Sequence, residues 1–205
     1  AIIASYTALE LAGRVSSAPG RSAWYWLLGG AVSMGAGIWS MHYIGMLAFS
    51  LPIPMAYDTP ITVLSMAIAV VVSAIALLVM KRPALTRENI TVGATLMGIG
   101  IVAMHYTGMF AMRMSPPIVY DPLLFIASVM IAITASLAAL WIAFRLRKQN
   151  SLMSILAKLG GAVIMGFAIA GMHYTGMAAA QFAPGSVCLA AGSAAGMDHA
   201  TLAVI

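Results

Sequence analysis

The sequence contains very little charge. Only 7% of its 205 residues are Asp, Glu, Lys or Arg, whereas 62% are hydrophobic, and the mean hydropathy is +1.01. Soluble domains carry about 25% charged residues, because their surfaces face water. The composition therefore predicts an integral membrane protein whose main partner is the lipid bilayer. The net charge of +5 comes without a basic helix face or basic-aromatic alternation, so no nucleic-acid partner is expected.

The sequence also has only one cysteine, and no N-terminal targeting signal is apparent. Cys188 is the single cysteine, which excludes an internal disulfide and a cysteine-based metal cage. The first 15 residues have neither a basic start nor a cleavage site, so they do not resemble a signal peptide. We interpret them as a helix entered part-way along, and we expect both the first and the last helix to be truncated.

Long apolar runs, in contrast, fill most of the chain. They cover residues 2–13, 23–51, 61–80, 90–112, 123–144 and 154–182, and a last run begins near residue 198. A helix needs about 20 residues to cross the hydrocarbon core of a bilayer. Five runs reach that length, and the two terminal runs would reach it with further turns. The sequence predicts an all-α integral membrane protein with seven transmembrane helices.

The basic residues concentrate in alternate loops. Loops 1, 3 and 5 and their borders contain Arg14, Arg21, Lys81, Arg82, Arg87, Arg145, Arg147, Lys148 and Lys158. The tenth basic residue, Arg113, lies in the fourth loop. The positive-inside rule then places the odd-numbered loops in the cytoplasm. We expect the N-terminus to face outside and the C-terminus to face the cytoplasm.

A six-residue motif occurs three times, near the outer ends of helices 2, 4 and 6. It is MHYIGM at residues 41–46 and MHYTGM at residues 104–109 and 172–177. The preceding residues align without a gap, which matches Gly30, Gly93 and Gly161, then Met34, Met97 and Met165, then Gly35, Gly98 and Gly166. The chain, residues 1–205, is therefore predicted to contain three parallel two-helix repeats, at about 23–80, 90–144 and 154–205. Helices 2, 4 and 6 would surround a common axis.

Each motif places an imidazole beside thioethers. His42 and Met46 are four residues apart and share a helix face, whereas Met41 lies about 100° round. An ionisable residue inside a span is costly and usually faces an interior site. Three histidines at matching depth favour one shared metal site over three separate structural hydrogen bonds. The candidate ligands are His42, His105, His173, Met46, Met109, Met177, Met41, Met104 and Met172. Asp198 and His199 are a weaker pair, and Asp198 is equally suited to capping a helix.

The ligand types favour copper. Imidazole binds copper, zinc, iron and nickel, while thioether sulfur selects Cu(I). Zinc is the second choice, because zinc sites usually include cysteine or carboxylate and the motifs contain neither. Haem, which accepts His/Met axial pairs, is a further option.

The three MHY[IT]GM copies resemble the MHYT domain family over nearly the whole chain, residues 1–205, although Ile44 replaces threonine in the first copy. The resemblance implies a sensor module of the bacterial inner membrane that binds copper and senses O2, CO, NO or redox state. It implies a cytoplasmic signalling domain after residue 205, often a GGDEF or EAL domain that makes or degrades cyclic di-GMP. Such cyclases act as dimers, which makes a homodimer one option for the oligomeric state, although the sequence itself does not determine that state. These 205 residues contain no GGDEF or EAL sequence, and no enzyme activity is expected of them.

Two other function classes remain open. A metal or small-molecule transporter would fit three parallel repeats, but the histidines and methionines cluster at one level and Glu10 is the only acid within a span. A membrane oxidase acting at copper would need a substrate pocket and an acid-base pair, which the motifs do not provide.

Overall fold

The computed structural model describes residues 1–147 and 152–204, and within them the protein is an α-helical bundle. Its helices are α1 (Ile2–Ser17), α2 (Gly20–Leu47), α3 (Thr59–Met80), α4 (Arg87–Phe110), α5 (Pro122–Leu146), α6 (Leu152–Ala179) and α7 (His199–Val204). The predicted fold class, an all-α integral membrane protein, is confirmed. Lys148, one of the basic residues used to orient the chain, lies outside the described residues.

Four of these helices, α3, α4, α5 and α6, are long and apolar enough to cross a membrane by length and composition. Helix α2 has 28 residues, but its glycines and polar aromatic residues lower its hydropathy. Helix α1 has 16 residues and the described part of α7 has six. The count of seven spans therefore stays a prediction.

Helices α2, α4 and α6 surround a central axis. Helices α1, α3 and α5, which we name the groove helices, pack into the grooves between them. Glycine allows the close approach: a Cβ on Gly35 of α2 would lie only 2.7 Å from the Cα of Val70 in α3. The same contact recurs between Gly98 and Ile133, and between Gly166 and Ile2. The repeats thus form a pseudo-threefold core. In the described residues, α1 fills the third groove, between α6 and α2, while α7 contacts α2.

Short β-ladders cover the end of the bundle where the motifs lie, which we name the motif end. Three antiparallel pairs join β1 (Ala56–Asp58) to β6 (Gly196–Asp198), β2 (Met114–Ser115) to β5 (Val187–Cys188), and β3 (Val119–Tyr120) to β4 (Ala180–Gln181). An aspartate ends β1 and caps α3, since Asp58 Oδ1 accepts from Ile61 N at 3.2 Å. Asp121 caps α5 in the same way. The repeat therefore extends through the loops of the motif end.

Candidate metal centre

The three motif histidines meet on the bundle axis. His42 of α2, His105 of α4 and His173 of α6 are 0%, 0% and 1% exposed. The Nδ1 atom of His42 lies 3.1 Å from that of His105 and 3.2 Å from that of His173. One ligand atom from each residue falls within 4.8 Å of the other two. Within the described residues this cluster, which we name the His triad, contains no carboxylate or thiol.

The spacing of the Nδ1 atoms suits one metal ion. Imidazole nitrogens bind zinc at about 2.0–2.1 Å, so two of them at a tetrahedral angle are about 3.3–3.4 Å apart. The observed separations of 3.1 and 3.2 Å are close to that value. A neutral imidazole nitrogen either donates or accepts, so His42 Nδ1 cannot form a good hydrogen bond with both neighbours. A cation at the centre would satisfy all three lone pairs together.

The Nε2 atoms of the His triad face the motif glycines of the neighbouring repeats. A Cβ on Gly108 would lie 2.2 Å from Nε2 of His42, and one on Gly176 would lie 2.4 Å from Nε2 of His105. Nε2 of His173 closes the cycle, since a Cβ on Gly45 would approach it to 2.2 Å. None of the three Nε2 atoms has a hydrogen-bond partner among the described residues. Each glycine thus makes room for the imidazole of the preceding repeat, which the sequence spacing alone did not indicate.

The candidate methionines lie on both sides of the His triad along the axis. Met46 and Met109, one turn beyond their histidines toward the motif end, are fully buried, while Met177 is partly exposed. Of the methionines that precede the histidines, Met104 and Met172 are buried and Met41 is partly exposed. Met41 and Met172 also line a cavity on the side away from the motif end. The six methionines thus lie within about one helical turn of the His triad along the axis. Their role as ligands stays a prediction.

The motif tyrosines, which sequence reasoning left without a role, anchor two of the motifs. The hydroxyl of Tyr106 lies 2.9 Å from Ser128 Oγ in α5, and the hydroxyl of Tyr43 lies 3.5 Å from Ser65 Oγ in α3. Each tyrosine ring also makes an edge contact with the histidine before it. Ser65 and Ser128 each follow the capping aspartate by seven residues, a repeat that could have identified them. Tyr174 in the third copy is 59% exposed.

Asp198, one of the weaker candidate pair, is not part of the His triad cluster found among the described residues. Oδ1 of Asp198 accepts a hydrogen bond from Thr201 N at 2.8 Å, so this carboxylate caps α7. It occupies in β6 the place that Asp58 holds in β1. His199 begins α7, and its side chain lies outside the part of the chain that the structure describes.

Two tyrosines beside the capping aspartates are held in the neutral form at the motif end. Burial raises the pKa of Tyr120 to about 12. Burial also raises the pKa of Tyr57, whose side chain is fully buried under the β1–β6 ladder. At neutral pH neither residue offers a phenolate to a metal.

Comparison with known proteins extends over most of the chain. The family MHYT, described as a bacterial signalling protein N-terminal repeat, matches three segments, at residues 35–93, 98–155 and 166–204. Each segment begins near the glycine that packs against the groove helix, and it runs through a motif to the following helix. No solved structure matches the chain.

Several longer signalling proteins resemble the chain. The bifunctional diguanylate cyclase/cyclic di-GMP phosphodiesterase MucR of Pseudomonas aeruginosa is 58% identical over 205 residues, 100% of this chain and 30% of that protein. The cyclic di-GMP phosphodiesterase NbdA of the same species is 43% identical over 180 residues, 87% of this chain and 23% of that protein. The signaling protein YkoW of Bacillus subtilis is 40% identical over 183 residues, 89% of this chain and 23% of that protein. The chain thus spans less than a third of these relatives.

Proposed function

Because the chain belongs to the MHYT family of bacterial signalling-protein N-terminal repeats, we propose that it is a membrane sensor whose ligand-binding centre is the His triad. One observation carries the proposal: three buried imidazoles from three repeats converge through their Nδ1 atoms. Ionisable side chains inside a membrane bundle are costly, and they usually mark a functional site.

The ion that best suits these residues is copper. His42, His105 and His173 supply the nitrogen ligands, and the six motif methionines supply soft sulfur around them. The candidates, as ligands or as soft sulfur next to the ligands, are Met46, Met109 and Met177 on the motif-end side, and Met41, Met104 and Met172 beside the histidines. Zinc is the alternative, although the cluster provides neither the cysteine nor the carboxylate that zinc sites often include.

A bound copper ion would supply reversible coordination of a diatomic gas such as O2, CO or NO, or a one-electron change of redox state. The protein's part is to convert a small movement of the imidazoles into a movement of helices. Each imidazole lies against the backbone of the next repeat, where there is no room even for a Cβ. A shift of one ring therefore displaces α2, α4 or α6 relative to its neighbour. The ligand must favour one of the two helix arrangements for a signal to be transmitted.

The output follows from the relatives and from the charges. MucR and NbdA are named for making or degrading cyclic di-GMP, and they are much longer than this chain. We propose a cytoplasmic output domain after residue 205 that acts on this nucleotide, with the whole protein a homodimer. The motif end would face outside the inner membrane, since most basic residues lie toward the opposite end.

Metal analysis tests the centre. Purified wild-type protein should contain about one copper ion per chain, and His105→Ala should contain almost none. His199→Ala tests the weaker candidate, and it should keep the copper if the His triad alone holds the ion. Equal metal content in wild type and His105→Ala would reject the His triad as the site, and zinc in place of copper would support the alternative ion.

A further inference from the structure

The bundle axis contains a cavity on the inner side of the His triad. Its volume is about 80 Å³, and helices α1 to α6 all contribute to its wall. Met41 and Met172, which precede two of the triad histidines, form part of that wall. Three further methionines, each seven residues before a motif methionine and so about two turns further inward, also line it. Those deeper residues are Met34, Met97 and Met165. The cavity therefore extends inward from the His triad between apolar side chains.

Two serines are the polar exception in this wall. Ser5 of α1 and Ser136 of α5 line the cavity and are each 2% exposed. Neither hydroxyl has a hydrogen-bond partner in the described part of the chain. Buried hydroxyls without a partner are rare, because leaving one unpaired costs free energy.

The two serines belong to a threefold set. Ser5 follows by three residues the isoleucine of α1 that packs against Gly166, and Ser136 follows by three the isoleucine of α5 that packs against Gly98. The same offset in α3 leads to Ser73, which is 0% exposed and also lacks a partner among the described residues. All three groove helices thus carry an unpaired hydroxyl at the equivalent position.

Other serines of the same helices do pair. The hydroxyls of Ser65 in α3 and Ser128 in α5 each donate at 2.7 Å to a backbone carbonyl three residues earlier. They also lie beside the motif tyrosines. Of the threefold set, Ser5 and Ser136 line the cavity, so their unpaired hydroxyls can each donate a hydrogen bond to a molecule bound there.

We propose that this cavity is an internal binding site for a small, uncharged molecule with the size and polarity of a diatomic gas. The described wall contains no charged side chain, which excludes an ion. The rest of the described wall is apolar, and apolar cavities in proteins accept molecules such as xenon. Dioxygen, carbon monoxide and nitric oxide share this apolar character, dissolve in a bilayer and can accept a weak hydrogen bond from Ser5 or Ser136. The binding itself does not depend on a metal, while delivery of the gas to the His triad rests on the proposed function.

Xenon tests the cavity in the metal-free protein. Crystals pressurised with xenon should show an anomalous peak inside the cavity, between Ser136 and the methionines Met34, Met97 and Met165. A xenon position only at the lipid-facing surface, or none at all, would overturn the proposal.

A pair of alanines on α5 provides matched variants. Ala139 lines the cavity, whereas its neighbour Ala138 is exposed on the outer face. Ala139→Leu should remove the xenon peak, and Ala138→Leu should keep it. Retention of the peak in a folded Ala139→Leu protein would contradict the assignment of the site.

Infrared spectroscopy tests the hydroxyl contact. Carbon monoxide taken up by the metal-free protein should show a stretching band shifted by its hydrogen bond. The shift should be lost in Ser136→Ala and kept in Ser128→Ala, whose hydroxyl already pairs with a carbonyl. An identical band in all three proteins would mean that the serine does not contact the gas.

The two proposals fail separately. If the His triad binds no metal, the xenon and carbon monoxide experiments still decide whether the cavity binds a gas. If xenon is absent while wild-type protein binds copper, only the cavity proposal is rejected. If both hold, Ala139→Leu should slow carbon monoxide binding to the metal-loaded protein several-fold compared with Ala138→Leu.

Discussion

The first two repeats and the third share their core and differ at their periphery. All three place a histidine on the axis and a glycine against the histidine of the preceding repeat. In the first two, the motif tyrosine also meets a serine of the following helix, through Tyr43 and Tyr106. Tyr174 of the third is exposed in the described residues, and the position of α1 equivalent to Ser65 and Ser128 would precede residue 1. The three repeats therefore match on the axis and in the glycine contacts of all three grooves, while the described tyrosine–serine contacts belong to the first two.

The three grooves also differ in which part of the chain closes them. Helices α3 and α5 each close the groove between their own repeat and the next, and each directly follows the motif helix of its own repeat. The third groove is held by α1, whose link to α6 includes an ion pair between Glu10 and Lys158 at 2.8 Å.

Adding one methyl group to the shared core should have the largest effect. In Gly176→Ala the new Cβ would lie 2.4 Å from Nε2 of His105, so the ring must move. We expect a loss of about 3 kcal/mol in unfolding free energy and a loss of metal binding. Gly171→Ala on the same helix meets nothing within 4 Å and should stabilise the helix slightly. Thermal unfolding and metal content check both variants, and equal behaviour of the two would show that the glycine is not a cradle for the histidine.

Breaking the ion pair of the third groove should have the next largest effect. Glu10→Gln leaves the ammonium group of Lys158 without its carboxylate partner. This is costly because the lysine side chain is only 5% exposed. Removing one partner of a fully buried pair costs about 3–5 kcal/mol, and since Glu10 is 37% exposed we expect about 2 kcal/mol. Cross-linking between α1 and α6 should also become less specific. Glu88→Gln, at the exposed start of α4, is the control. An unchanged unfolding temperature for Glu10→Gln would show that the ion pair does not stabilise the fold.

The unpaired serines should behave opposite to the paired ones. Ser73→Ala removes a buried hydroxyl without a partner in the described chain, and it should raise unfolding free energy by about 1 kcal/mol. Ser65→Ala in the same helix removes hydrogen bonds to a backbone carbonyl and to Trp39, and it should lower unfolding free energy by about 1 kcal/mol. Denaturation of the two variants side by side is the measurement. A loss of stability in Ser73→Ala would show that its hydroxyl has a partner after all.

The smallest effect concerns the tyrosines. Tyr106→Phe removes the bond to Ser128 and should cost about 0.5–1 kcal/mol. Tyr174→Phe should leave unfolding unchanged, because that side chain is exposed. If both variants lose the same stability, the third repeat does not differ from the others in the way described.

The sequence predicted the features that repeat in register. Three copies of one motif at matching depth were enough to bring His42, His105 and His173 into one cluster, because successive helix pairs point the same way. The helical membrane fold followed from the apolar runs. The number of spans, the sidedness and the ligand role of the methionines are still predictions.

Other features could not be obtained from the sequence, because they depend on how one repeat packs against the next. The contact between an imidazole and the glycine of the neighbouring repeat needs the helix register. Ser73 and Ser136 are 63 residues apart, the same interval that separates His42 from His105. That interval could have revealed two members of the serine set, but Ser5 belongs to none of the predicted repeats. The β-ladders of two or three residues are too short to show a strand pattern.

X-ray absorption at the metal edge of the copper-loaded protein is the direct test of the His triad as the metal centre. We expect imidazole nitrogen neighbours at about 2.0 Å, a sulfur contribution from methionine, and loss of the imidazole signal in His105→Ala. The same spectrum in wild type and His105→Ala, or a spectrum with oxygen neighbours alone, would contradict the assignment of the His triad as the metal centre.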